Sequence, residues 1–181
     1  IPSELVNALA RTKESPFFGI IKRPSDPVGA KGVITDTALI KVTENSLNNY
    51  GALSLYKGIG RIPDDLNGMY EIMFSFWSAV KEVFPDAWGL PSTESRLMHS
   101  AGILALGHLM DRIVPRIQRD KNMNKNIKNS LLHIRDSCAW TQGEWEGLGM
   151  AWNEIQSVPK HIRMLSEHLI QLDYLASGDR H

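Results

Sequence analysis

Between Leu66 and Phe84 the apolar residues recur with a period that only a long helix buries on one side. Leu66, Met69, Tyr70, Met73, Phe76, Trp77, Val80 and Phe84 stand at offsets 0, 3, 4, 7, 10, 11, 14 and 18, which stacks their side chains on one helical face. Pro63, Asp64 and Asp65 form a start signal, because a proline loses no hydrogen bond in the first turn and carboxylates favour the positive end of the helix dipole. Pro85 is the stop. A face this heavy needs other helices to cover it, so the chain is expected to be mainly α.

The remaining patterns supply those helices. Pro2-Ser3-Glu4 opens a short amphipathic helix carrying Leu5, Val6 and Leu9. Ser15-Pro16 breaks it, and Phe17-Phe18-Gly19-Ile20-Ile21 reads as a short strand near the N-terminus. Residues 22–34, with Pro24, Pro27 and Gly29, have the composition of a flexible loop. Thr35-Asp36-Thr37 caps a helix with Leu39, Ile40, Thr43, Leu47 and Tyr50 at helical spacing, ended by Gly51, and residues 52–62 look irregular. Pro91-Ser92-Thr93-Glu94 starts a helix with Leu97, Ala101, Leu104, Ala105 and Leu109 inward, where Ala101, Gly102, Ala105 and Gly107 allow a neighbour close approach. Pro115 should end it near Val114, since proline disfavours α geometry in the residue before it. A further helix places Ile127, Leu131, Ile134 and Cys138 on its packed side. The tract from Trp140 to Trp152 is aperiodic, and Ser157-Val158-Pro159 begins a terminal helix with Ile162, Leu165, Leu169 and Leu172 inward. The expected fold is a multi-helix domain with a short strand element, spanning residues 1–181 as one unit without internal repeats.

Composition narrows the function classes. With 43% hydrophobic residues in 181 the chain can build a real core. Twenty basic and 20 acidic residues give no net charge, so no global field draws in nucleic acid or an anionic membrane, and any such contact must be a local patch. One cysteine, Cys138, excludes an internal disulfide framework and suits a reducing compartment. No apolar run approaches the ~20 residues that cross a bilayer, and no leader opens the chain. A cytoplasmic location follows as the expectation. Ile1 in place of a methionine suggests a fragment of a longer protein.

One local patch stands out. Between Asp111 and Asp136 lie Arg112, Arg116, Arg119, Lys121, Lys125, Lys128 and Arg135, opposed by Asp111, Asp120 and Asp136 alone. Lysines and arginines bind phosphate without regard to sequence by releasing counterions, and Asn122, Asn124, Asn126 and Asn129 add short donors beside them. On the helix, Lys121, Lys125, Lys128 and Arg135 share a stripe roughly 100° from the packed one. These seven residues are the candidate nucleic-acid contacts. Trp140, Trp145 and Trp152 are the candidate interface, because tryptophan has the most apolar area to bury and Glu144, Glu146 and Glu154 beside them repel phosphate. The expected neighbour there is an N-terminal portion of the same protein or a second copy.

Several segments resemble one bacterial family. Ser15-Pro16-Phe17-Phe18-Gly19-Ile20-Ile21 is similar to a segment of proteins carrying the DGQHR domain, which include the DndB-like proteins of DNA phosphorothioation systems. Val83-Phe84-Pro85-Asp86-Ala87-Trp88, Leu97-Met98-His99-Ser100-Ala101-Gly102-Ile103 and Pro159-Lys160-His161-Ile162-Arg163-Met164-Leu165-Ser166 resemble the later part of that family. The resemblance implies a signature-bearing N-terminal portion followed by a helical one, in proteins tied to DNA modification or its transcriptional control. The Asp-Gly-Gln-His-Arg signature does not occur in this sequence, so the chain corresponds to the helical C-terminal portion and carries none of the family's catalytic residues.

Catalytic patterns are sparse. Arg163 and His168 fit the Arg-x4-His spacing of HEPN-type ribonucleases, although Met164 stands where those enzymes usually have a polar residue. His99, His108, His133, His161, His168 and His181 make no metal-binding spacing with carboxylates, and neither a nucleophile elbow nor a phosphate loop is present. No cofactor is implied. The expectation is a non-catalytic helical portion that assists DNA binding or transcriptional regulation. The alternatives are a scaffold or dimerisation module without nucleic-acid contact, and a HEPN-like ribonuclease.

Overall fold

The computed structural model describes residues 1–27, 32–48, 50–117 and 121–178. Among these the chain is mainly α, with six helices: α1 (Pro2–Arg11), α2 (Asp36–Asn48), α3 (Leu66–Val83), α4 (Ser100–Ile117), α5 (Met123–Ile134) and α6 (Pro159–Gly178). Two two-residue strand pairs complete it, β1 (Ile21–Lys22) parallel to β2 (Ile34–Thr35) and β3 (Glu144–Trp145) antiparallel to β4 (Met150–Ala151). No described helix is long and apolar enough to cross a membrane.

Helix α4 is the axis of the packing. It lies against α2 and α6, while α3 lies against α5, and α5 also meets α6. Gly107 makes the α2 contact possible, since a Cβ there would fall 2.8 Å from a Val42 methyl. The predicted α3 face is buried through Met69, Met73, Phe76, Trp77 and Val80, with Ile72 and Val83 added. Its first member, Leu66, stays exposed because it occupies the first turn, just after the N-cap Asp65, whose carboxylate accepts from the Gly68 amide at 2.9 Å. One core cluster takes residues from all six helices.

Local expectations fail where long-range hydrogen bonds compete. The segment Phe17–Ile20 is turn, not strand. Ser15 Oγ accepts the Phe17 amide at 3.1 Å, Gly19 has φ +78°, and Phe17 is buried between Trp77 and Trp88. The helix expected from Pro91 starts only at Ser100. The Arg96 amide is taken by the Trp140 carbonyl at 2.8 Å, and its guanidinium donates to the carbonyls of Ser92, Asn153 and Ile155 at 2.6–2.8 Å. Conversely α4 runs three residues past Val114, with Pro115 inside its last turn. Proline removes one backbone bond there, and the burial of Ile113 and Val114 and the anchoring of Arg116 offset it. Of the expected flexible loop 22–34, residues 28–31 lie outside the described ones, while Lys22 and Ile34 at its two ends belong to the β1–β2 pair.

Gly51 serves a different purpose from the helix cap expected of it. The left-handed residue after α2 is Tyr50, at φ 55°. Gly51 has an extended backbone, φ −77°, and its missing side chain admits Asp111, whose Oδ1 would lie 2.5 Å from a Cβ.

Candidate functional site

The structure disperses the seven basic residues. Arg116 makes two hydrogen bonds to Asp173 of α6, Nη1 to Oδ2 at 2.8 Å and Nη2 to Oδ1 at 3.0 Å, with Ser130 of α5 at 3.4 Å. Asp173 is buried, and its hydrogen bonds hold the Arg116 guanidinium above its usual range despite partial burial. This arginine is a structural pin, with three of its five N–H donors turned to Asp173 and Ser130. Arg119 lies outside the described residues. Arg112 lines a groove on the α2 side of α4. Arg135 Nε lies 3.8 Å from Asp136 Oδ1. That leaves Lys121, Lys125 and Lys128, all exposed. Lys125 and Lys128 share a face of α5 at i, i+3 spacing. Lys128 Nζ meets Glu82 Oε2 at 3.1 Å with both side chains about half exposed, a pair too solvated to hold the lysine against a competing phosphate. Lys121 and Lys125 make no ion pair among the described residues.

The tryptophans are spent within the chain. Trp145 is fully buried and Trp140 nearly so, packed edge to face with ring centroids 5.0 Å apart. Phe84 and His168 flank the pair. Trp152 is half-buried with the Arg96 guanidinium 5.7 Å above its ring. Arg96 ties the aperiodic tract to the segment before α4 through Trp140, Asn153 and Ile155, and Trp140 and Trp145 are core residues of this chain.

Arg163 and His168 point to different sides of α6. Arg163 opens into the groove against α2 and α4, whereas His168 packs on Trp145 and under Gly147, where a Cβ would come within 3.2 Å of its Cε1. Burial pushes the His168 imidazole below its usual value. The two side chains do not converge on one phosphate within this chain. The other shifted histidine, His99, is lowered by burial and then by Arg96, and its Nδ1 accepts from the Ala101 amide at 3.2 Å. Among the described residues no group of three or more histidine, cysteine, aspartate or glutamate side chains is placed to hold a metal. Cys138 is half-buried, and burial of the thiol with Asp136 nearby pushes it well above its usual value, which disfavours the reactive thiolate.

A groove of about 760 Å³ lies between α2, α4 and α6. Helix α2 contributes Lys41 and Asn45, α4 contributes Leu104, His108, Asp111 and Arg112, and α6 contributes Ile162, Arg163, Ser166, Glu167 and Ile170. Asp111 is one of the two carboxylates that line the groove. Its Oδ1 accepts from Ser46 Oγ at 2.6 Å and from the Ala52 amide at 2.9 Å, and burial raises its carboxyl in spite of those bonds. In the sequence Asp111 is merely one charge opposing the basic run, and Ile162 one inward residue of the terminal helix. The signal was present as i, i+4 pairs, Lys41 with Asn45, Leu104 with His108, and Arg163 with Glu167, but it lies on three helices whose mutual arrangement no spacing reveals.

No family model matches this chain, and neither a curated protein nor a solved structure matches it.

Proposed function

We propose that this chain is the non-catalytic helical portion of a cytoplasmic bacterial protein associated with DNA modification, of the DGQHR-carrying kind, and that it adds backbone contacts to that protein's hold on DNA. The observation that carries the reading is the lysine pair Lys125 and Lys128 on α5 with Lys121 in the turn before it, outside the helical stripe expected from the sequence. Lys121, Lys125 and Lys128 stand exposed, and Glu82 is the one carboxylate paired with any of them among the described residues. Ammonium groups in this state displace counterions from phosphates, each contact adding about 0.9 to the salt slope of binding. The separation of Arg163 from His168 supports the non-catalytic part. Binding to a random-sequence duplex, titrated against salt, tests the reading: a log–log slope of roughly 3 is expected. The triple variant K121E/K125E/K128E should abolish the binding, and unaltered affinity in that variant would refute the role. For the family assignment, the coding sequence upstream should contain Asp-Gly-Gln-His-Arg.

A second reading, an assembly module without nucleic-acid contact, is favoured by the loop before α3. The Asp65 amide donates to the Tyr56 carbonyl at 2.8 Å and the Gly58 amide to Asp64 Oδ1 at 2.7 Å, closing a loop that displays Ile59 at 82% and Ile62 at 70% exposure. Aliphatic side chains displayed together in this way are typical of protein contacts. Light scattering separates the two: a dimer that I59D/I62D converts to monomer, with no DNA retention, supports assembly, and a monomer at all concentrations removes it.

A further inference from the structure

We infer that the groove between α2, α4 and α6 is a binding site for a small organic anion, a single phosphate or carboxylate group carried on an apolar, preferably aromatic, body. Its volume of about 760 Å³ suits such a molecule. The site does not include Lys121, Lys125 or Lys128 and stands independently of the DNA-binding reading.

Three observations converge on this chemistry. Arg112 of α4 and Arg163 of α6 both line the groove, both are exposed, and neither makes an ion pair among the described residues. In this chain the arginines that serve structure are held by protein acceptors, Arg116 by Asp173 and Arg96 by three carbonyls. Two guanidiniums without such a hold among the described residues, from separate helices beside one cavity, provide forked donors that match a phosphate or carboxylate edge. Lys41 adds a third cation, held only at 3.9 Å by Glu44.

The second observation is the balance of the opposing charge. Of the two carboxylates on the wall, Asp111 is half-buried and already accepts two hydrogen bonds at Oδ1. Glu167 remains as a rim acceptor, which favours one anionic group over a polyanion.

The third is the apolar side. Leu104, Ile162 and Ile170 supply aliphatic surface to the same cavity, and Tyr50 stands at its edge, 95% exposed with φ 55°. A bulky residue in the left-handed region is uncommon and strained. Here that conformation holds an aromatic ring at the groove, packed against no core residue among the described ones. A hydrophobic body entering the groove gains the aliphatic wall and the ring face together.

The test is titration of the full chain with 1-naphthyl phosphate and 1-naphthoate, followed by naphthyl fluorescence, with inorganic phosphate as the headgroup alone. Saturable binding of at least one naphthyl anion is expected, at least tenfold tighter than inorganic phosphate. R112Q/R163Q should weaken it at least tenfold, and Tyr50→Asn, which tolerates the left-handed backbone, about fivefold. Both variants should keep the wild-type unfolding temperature and the DNA salt slope. The phosphate and carboxylate arms identify which headgroup the arginines select. Absence of saturation by either anion, affinity equal to that of inorganic phosphate, or binding unchanged in R112Q/R163Q would overturn the assignment.

Discussion

Arg116 of α4 and Asp173 of α6, 57 residues apart in sequence, are joined by two hydrogen bonds, at 2.8 and 3.0 Å, and the carboxylate is 4% exposed. Removing the arginine leaves that charge buried and unpaired, which costs more than the pair itself contributes. Arg116→Met is expected to destabilise the chain by about 3 kcal/mol in denaturant unfolding. The double variant R116M/D173L should recover most of the loss. DNA affinity of any stable Arg116 variant should match the wild type, because the charge of this guanidinium is already paired with Asp173.

Gly51 is required by space rather than by backbone conformation. A methyl group there would strike Asp111 and break its bonds to Ser46 and Ala52. Gly51→Ala should therefore cost about 2 kcal/mol, the scale of a buried polar group losing its partners. Gly178→Ala, where a Cβ meets nothing within 4 Å, should be neutral within about 0.5 kcal/mol. Equal effects of the two substitutions in chemical unfolding would contradict the steric account.

Stability should fall on mild acidification. Burial lowers the His168 imidazole below 6.5, and burial with Arg96 lowers that of His99. The unfolded chain then takes up protons that the folded chain refuses, so this stability is full above 6.5 and is lost as the pH drops through the lowered folded values. Asp111 acts in the opposite sense, because its raised carboxyl is costly to ionise in the folded chain and acid relieves that cost. With two histidines against one carboxylate, the melting temperature at pH 5.5 should lie below that at pH 7.5. His168→Phe should make the difference smaller; an identical difference would exclude His168 as a contributor.

The isolated chain should already emit as a protein with buried indoles. Trp77 and Trp145 are fully buried and Trp140 nearly so, so emission should be blue-shifted in the monomer and move little on self-association or partner binding. Trp145→Ala should cost roughly 3–5 kcal/mol by opening a cavity between Trp140 and His168. A large emission shift on dimerisation would show that the tryptophan tract changes its packing in the assembly.

Sequence periodicity by itself determined the helices and their buried sides. The α3 face, the Asp65 cap and the start of α6 at Pro159 all follow from residues within a few turns of one another. Such features depend on local backbone hydrogen bonds and on which side must leave water, and both are written in spacing. Tertiary structure alone decided the rest. Arg96 keeps residues 91–99 out of a helix by bonding to the far side of the chain, and Arg116 leaves the predicted basic patch by finding Asp173. Arg112 and Arg163 become one site because α2, α4 and α6 pack as they do. A charged side chain's role depends on which opposite group lies within about 4 Å, and for partners separated by more than fifty residues that distance is a property of the packing, not of the spacing.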